Sequence, residues 1–209
     1  VISAREALAR LKDGNRRFVE GPRSHDALAV EARRTEVAAG QEPFAIVLGC
    51  SDSRVPAEIV FDQGIGDLFV IRVAGNIVAP SGIGSVEFAA ERFGTRLVVV
   101  LGHSRCGAVI ATLDELARPA ENQSRNLRSI VGRISPAVES LVAAGGAAGG
   151  GRDPETLLRD AVRANVHYAT DQLRHGSEIL ERLIGQDGLM VVGAEYSLET
   201  GIVEFFESA

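Results

Sequence analysis

Two stretches decide the fold: Phe44-Ala45-Ile46-Val47-Leu48-Gly49-Cys50-Ser51-Asp52-Ser53-Arg54 and Leu97-Val98-Val99-Val100-Leu101-Gly102-His103-Ser104-Arg105-Cys106-Gly107. Each opens as an apolar run, β-branched in part, which is the pattern of a parallel strand buried on both faces. Each then reaches Gly and a side chain able to bind a metal. In an open α/β sheet, ligands gather beyond the carboxyl ends of the strands. Two such ends side by side would bring Cys50, Asp52, His103 and Cys106 together, and that set suits zinc.

Working outward, the pattern predicts an α/β fold. Strands at 44–50, 67–73 and 96–102 alternate with helices near 56–61, 83–93 and 106–116, which implies right-handed crossovers and a parallel sheet. Strands at 189–196 and 202–206, joined through Glu199-Thr200-Gly201, would add a fourth parallel strand and an antiparallel edge strand. Helices flank this sheet. Residues 122–141 read as helical, with Pro136 expected to kink or split them, and 143–151 form a Gly/Ala tract read as a loop. Asp153-Pro154-Glu155 is a strong start for a helix running to about His175, with Gly176 as its stop and a further helix near 177–185.

Ahead of the first strand stand two helices, 3–20 and 27–39, the first with a Ser3/Glu6 capping-box pattern and the second with Asp26 as its candidate N-cap. Residues 1–40 are thus an N-terminal helical extension on an α/β core at 41–209, within a single domain 1–209. The extension is suited either to wrapping a neighbouring subunit or to covering the sheet.

The chain has 209 residues, 45% of them hydrophobic and 24% charged, an ordinary globular composition. A formal net charge of -6 argues against a nucleic-acid surface. No apolar run approaches the roughly 20 residues that span a bilayer, and the start shows no signal-peptide pattern. The two cysteines, Cys50 and Cys106, fit metal thiolates in a reducing compartment, the cytoplasm, better than a structural disulfide.

His103 and Cys106 lie three apart at a strand-to-helix turn, so one small loop can aim both at one ion. Cys50 adds a third ligand. Two thiolates and a neutral imidazole cancel the charge of Zn2+, which leaves Asp52 and a hydroxide as competitors for the fourth position. Arg54 can grip Asp52 through two parallel hydrogen bonds and keep it off the metal. Held so, Asp52 orients the water; released, it closes the site.

Cys-x-Asp-x-Arg paired with His-x-x-Cys, some 50 residues apart, resembles the β-class carbonic anhydrases, and the similarity covers nearly the whole chain. The resemblance implies a zinc enzyme that interconverts carbon dioxide and bicarbonate by attack of zinc-bound hydroxide. It implies Cys50, His103 and Cys106 as metal ligands, the Asp52–Arg54 dyad, and Asp52 as fourth ligand in closed forms. It also implies a dimer or tetramer whose substrate pocket lies at the subunit interface. There Gln41 matches the glutamine that hydrogen-bonds bicarbonate. Phe69, Ala74 and Phe88 match the pocket for carbon dioxide, and Gly107 offers its backbone N–H to substrate. Without the resemblance, Phe69, Ala74 and Phe88 would read as ordinary core.

One departure stands out. Some bacterial members hold an inhibitory bicarbonate with Trp, Arg and Tyr; Arg72 and Tyr196 match two of these, but Val47 replaces the Trp. An open site near and above neutral pH is therefore expected. His25, His167 and His175 are candidate proton shuttles, although surface histidines are commoner, and Asp62 and Glu87 read as solvated or interface charges. Three rivals remain: hydrolysis of carbon disulfide or carbonyl sulfide, a non-catalytic zinc scaffold, and a Cys50/Cys106 redox pair. The last lacks Cys-x-x-Cys spacing.

Overall fold

The computed structural model describes residues 2–21, 27–118, 124–144 and 153–206. Strands β1 (Ala45–Cys50), β2 (Leu68–Val73), β3 (Leu97–His103), β4 (Met190–Tyr196) and β5 (Val203–Phe206) form one sheet in the order β2-β1-β3-β4-β5. The first four are parallel, and β5 runs antiparallel to β4. This is the architecture expected. Every residue of the central strands β1 and β3 is buried, which is why both read as unbroken apolar runs rather than as alternations.

Among the described residues the α-helices are α1 (Ala4–Glu20), α2 (Ala27–Glu36), α3 (Ala57–Val60), α4 (Pro80–Arg92), α5 (Gly107–Ala117), α6 (Arg125–Ala144), α7 (Pro154–His175) and α8 (Glu178–Gln186). Side chains alternate along each strand, so each strand feeds both faces. Val47, Val99 and Leu101 pack with Ala7 and Leu11 of α1 and Val60 of α3. Ile46, Leu48, Val98 and Val100 pack with Val86 of α4, Val166 and Leu173 of α7, and Leu180 of α8. A third cluster closes the carboxyl end of the sheet, where Cys50 and Cys106 meet Val109 of α5, Ile134 and Val138 of α6, and Val162 of α7.

Local chemistry places most element ends. Ser3 and Glu6 form the reciprocal capping box of α1, and Gly21 ends it with φ 98°. Asp153 caps α7 by accepting from Thr156 N–H at 2.9 Å, with Pro154 in the first turn. α4 starts at Pro80, three residues earlier than expected, because Pro suits the first helical position. α2 stops at Glu36 and tightens into a 3-10 turn over Val37–Ala39. The Asp26 cap and nearly all of the Gly/Ala tract lie outside the described residues; Ala143 and Ala144 of that tract end α6.

Pro136 does not split the helix, one of the two outcomes expected of it. α6 runs as one helix through it. Proline removes one intrahelical hydrogen bond, but Ile134, Ser135 and Val138 on either side of it are buried, so packing carries the helix through.

α1 packs on its own chain. It buries Ala4, Ala7 and Leu11 on its own sheet, while Val19 stays exposed. Asn15, 5% exposed, pins the helix: its amide nitrogen donates to Val60 O at 3.1 Å and Gly201 O at 2.8 Å, and its oxygen accepts from Val203 N–H at 2.9 Å. One side chain thus ties α1 to α3 and to the β4–β5 turn. Asn15→Ala should strip three buried backbone groups of their partner and lower the unfolding free energy by about 3 kcal/mol in urea titration.

Candidate metal centre

β1 and β3 pair with Gly49 beside Leu101, so Cys50 and His103 emerge almost level at the carboxyl edge. Chain leaving β3 turns sharply through Arg105 (φ 54°) and enters α5 with Cys106 as its N-cap. That turn aims Cys106 back at His103 and Cys50. The three ligand atoms lie within 4.8 Å of one another, all on buried residues, and the two sulfurs are 4.0 Å apart. A tetrahedral ion with zinc–sulfur bonds of 2.3 Å would need sulfurs about 3.8 Å apart.

The hydrogen bonding of His103 fits the same use. Its Nδ1 lies 2.9 Å from Ser104 O, so Nδ1 carries the proton and Nε2 presents a lone pair. Nε2 is buried with no hydrogen-bond partner, a costly state that a cation would relieve. Ser104 is itself held by the β4–β5 turn: its N–H donates to Tyr196 O, its hydroxyl donates to Glu199 at 2.9 Å, and that hydroxyl accepts from Leu198 N–H at 3.0 Å. Arg105 adds an ion pair to Glu199 at 3.0 Å.

The thiols are unequal. A hydrogen bond from Cys106 pulls the Cys50 thiol down against its burial, aided by the Gly75 N–H, which lies 3.3 Å from its sulfur. Sharing that proton, and then burial, pushes Cys106 up. The pair is therefore a thiolate beside a thiol, and a bound cation would displace the remaining proton.

Asp52 sits at the rim, its side chain 17% exposed, with Oδ2 3.9 Å from His103 Nε2. Arg54 grips it twice, Nε to Oδ1 at 2.9 Å and NH2 to Oδ2 at 2.7 Å, and the Arg54 backbone N–H adds a third bond at 3.0 Å. This grip holds the Asp52 carboxyl well below the usual carboxylate range. The Asp52–Arg54 ion pair is thus formed, and Asp52 is turned towards Arg54.

The remaining expected residues divide. Ala74 follows β2 at the edge beside Cys50, and exposed Gly107 opens α5, where its N–H is one of the four the helix cannot satisfy itself. Gln41, Phe69 and Phe88 are elsewhere in the subunit. Phe69 pairs with Ile46, at the start of β1, and β1 separates its two ends by about 17 Å. Phe88 is 53% exposed. Phe69, Phe88 and Phe93 form an aromatic trio with centroids 5.6–6.3 Å apart, and Gln41 lines a cavity of about 550 Å³ with Phe44 and Phe93. An apolar pocket of Phe69 and Phe88 around the metal is therefore not formed within one subunit.

Other candidates have different employment. Arg72 donates to Cys50 O at 3.0 Å and Asp52 O at 2.6 Å, clasping the loop backbone. Val47 is buried in the core and Tyr196 packs on Phe18. His167 stacks on Phe206, His175 Nδ1 lies near Asp171 O, Asp62 is a buried partner of Arg17, and Glu87 accepts from Ser177. Among the described residues, His167, His175 and Glu87 make these contacts away from the site, and His25 lies outside the described residues. The supports missed from sequence are Gly75, Ser104, Glu199 and Asn165, whose amide donates to Gly75 O at 2.7 Å. Asn165 carried an unused signal: a polar residue inside the apolar stripe Ala161, Val162, Val166, Ala169 and Leu173.

Comparison with known proteins agrees with this geometry. The family model for carbonic anhydrase matches residues 45–203. Carbonic anhydrase 2 of Mycobacterium tuberculosis H37Rv is 38% identical over 191 residues, covering 91% of this chain and 87% of that protein. The carbonic anhydrase of Mycolicibacterium smegmatis is 41% identical over 194 residues, 93% of this chain and 89% of that protein. A tetrameric β-carbonic anhydrase of Sordaria macrospora shares the fold with a TM-score of 0.75 at 22% identity, covering 87% of this chain and 90% of that one. Among the described residues no helix is long and apolar enough to cross a membrane. With the family model spanning most of the chain, and two relatives aligned over more than nine tenths of it, the chain belongs to the carbonic anhydrase family, in its β class.

Proposed function

We propose that this protein catalyses the reversible hydration of carbon dioxide to bicarbonate and a proton at a zinc ion held by Cys50, His103 and Cys106. The observation that carries the reading is the buried Cys50–His103–Cys106 group, with a His103 Nε2 that no hydrogen bond satisfies among the described residues. When bound, zinc supplies a Lewis acid that lowers the pKa of water from 15.7 towards about 7.

The chain's own residues do the rest. Asp52, kept anionic by Arg54, accepts a hydrogen bond from the attacking water and fixes its direction. Arg72 holds the Cys50–Asp52 backbone so that the carboxylate stays in place. Gly107 N–H, at the positive end of the α5 dipole, faces the oxygen that gains charge as bicarbonate forms. Ala74 lies at the wall of the pocket. Gln41, Phe69 and Phe88, grouped at the far end of β1, complete the pocket of a second copy, which makes the working unit at least a symmetric dimer. Such self-association agrees with the tetrameric Sordaria relative. Carbon dioxide would rest against the aromatic side chains, and Gln41 would donate to bicarbonate.

Stopped-flow hydration of carbon dioxide with an indicator dye tests the reading on zinc-loaded protein. A rate well above the blank at neutral to alkaline pH is expected, and a rate equal to the blank overturns it. Cys50→Ser and Cys106→Ser should each lose zinc by elemental analysis and lose the activity with it.

Arg54→Leu removes all the side-chain bonds that turn Asp52 away from His103. The Asp52 carboxylate should then take the fourth position in place of water, visible in a crystal structure of the zinc-loaded variant, and hydration should fall about 10- to 100-fold. Mixing two inactive variants, Cys106→Ser and Gln41→Ala, and allowing subunits to exchange should restore activity. Mixed dimers would then contain one intact site. No recovery after demonstrated exchange would assign Gln41 to its own subunit.

A further inference from the structure

Among the described residues, three buried side-chain atoms lack a hydrogen-bond partner: His103 Nε2, Asn76 Nδ2 and Asn165 Oδ1. The first belongs to the metal centre. The other two belong to an amide pair behind it, in which Asn165 Nδ2 lies 3.4 Å from Asn76 Oδ1. Both asparagines are 1% exposed. A half-satisfied amide pair in an apolar stripe is a poor way to stabilise a core, since apolar residues of the same shape pack there without loss. Something other than core stability accounts for it.

What the pair holds is the turn after β2. Gly75 and Asn76 are both left-handed, with φ 80° and 46°, a conformation disfavoured for residues with a side chain. Gly75 is also wedged: a Cβ there would lie 3.0 Å from Ala108 Cβ and 2.8 Å from Ile134 Cδ1. Asn165 Nδ2 donates to Gly75 O at 2.7 Å, and Gly75 N–H donates to Cys50 Sγ at 3.3 Å. The contacts form a chain: α7 amide, turn carbonyl, turn N–H, ligand sulfur. An N–H bond to a thiolate withdraws charge from it and fixes its lone pairs, so the angle of that N–H sets how the sulfur meets a metal.

The next residue of α7 acts on the other strand. A Cβ on Gly102 would lie 2.4 Å from Val166 Cγ2, so Gly102 lets α7 close onto β3 one residue before His103. One turn of α7 therefore backs two of the three ligands.

We propose that Asn165 is a positioning residue of the metal centre, acting through Gly75 on the Cys50 sulfur. This rests on the reading of Cys50, His103 and Cys106 as a zinc site. Asn165 touches neither metal nor substrate. Its role is to keep the Gly75 N–H pointed at Cys50 while zinc is bound or exchanged.

The test uses full-length Asn165→Leu, which keeps the volume and removes the donor, and Asn165→Ser, which is one bond too short to reach Gly75. Zinc affinity is measured by chelator competition, and the sulfur-to-metal charge-transfer band is read on the cobalt(II)-substituted protein. Zinc binding about tenfold weaker than in the parent, with a displaced band, is expected in whichever variant is folded by circular dichroism. Parent affinity and an unmoved band, alongside a lowered melting temperature of the metal-free form, would make Asn165 a packing residue and overturn the proposal.

The unaltered protein gives a second readout, independent of whether either variant folds. Loaded with cadmium-113, it should show scalar coupling between the metal and the Gly75 amide proton through the sulfur, and absence of that coupling also overturns the proposal. If the parent chain binds neither zinc, cobalt nor cadmium, the zinc reading itself fails, which is a separate result.

Discussion

The constraint on which this molecule depends is the burial of two sulfurs and one imidazole lone pair within 4.8 Å of each other. Grouping such donors away from water is expensive unless a cation neutralises them. Around this liability the fold is stiff. β1 and β3 are wholly buried and hydrogen-bonded on both sides. The α5 N-cap is itself one of the donors. Ser104 and Glu199 fix the tautomer of His103 from one side, and the Gly75 turn meets Cys50 from the other. Rigid support lets three donors keep one geometry at a site none of them would choose alone.

The second constraint is the length of β1. Its carboxyl end carries Cys50, Asp52 and Arg54, while its start lies beside Gln41, Phe69 and the exposed Phe88. Strand geometry forbids these groups from meeting in one chain. The proposed two-copy pocket answers that separation, and it gives a use to an aromatic trio that a monomer would leave partly in water.

Much of this was legible before any coordinates. Unbroken apolar runs at 44–49 and 97–102, β-branched in part, read as strands covered on both sides, and the Gly-then-donor endings read as the ligand-bearing edge of the sheet. Asp153-Pro154 and Ser3 with Glu6 fixed helix starts through chemistry confined to four residues. Where the reading fell short, a distant contact outweighed a local rule. Pro136 sits in an unbroken helix because its neighbours are buried. Arg72 shows a use that its match to an anion site in some relatives did not suggest: its guanidinium holds the backbone of Cys50 and Asp52.

The Cys50–His103–Cys106 group and the Asp52–Arg54 ion pair could be read from the chain because each is short-range: residues two or three apart at a turn, repeated at two strand ends. Their supports could not. Asn165 reaches Gly75 across 90 residues, and Asn15 reaches Val203 across 188. Nothing in linear order ties such partners, since which helix lies behind which turn is settled by packing across the whole sheet. The same packing sets which faces of α1 and α7 turn inward, and it leaves Gln41, Phe69 and Phe88 at the wrong end of β1 for their own metal centre.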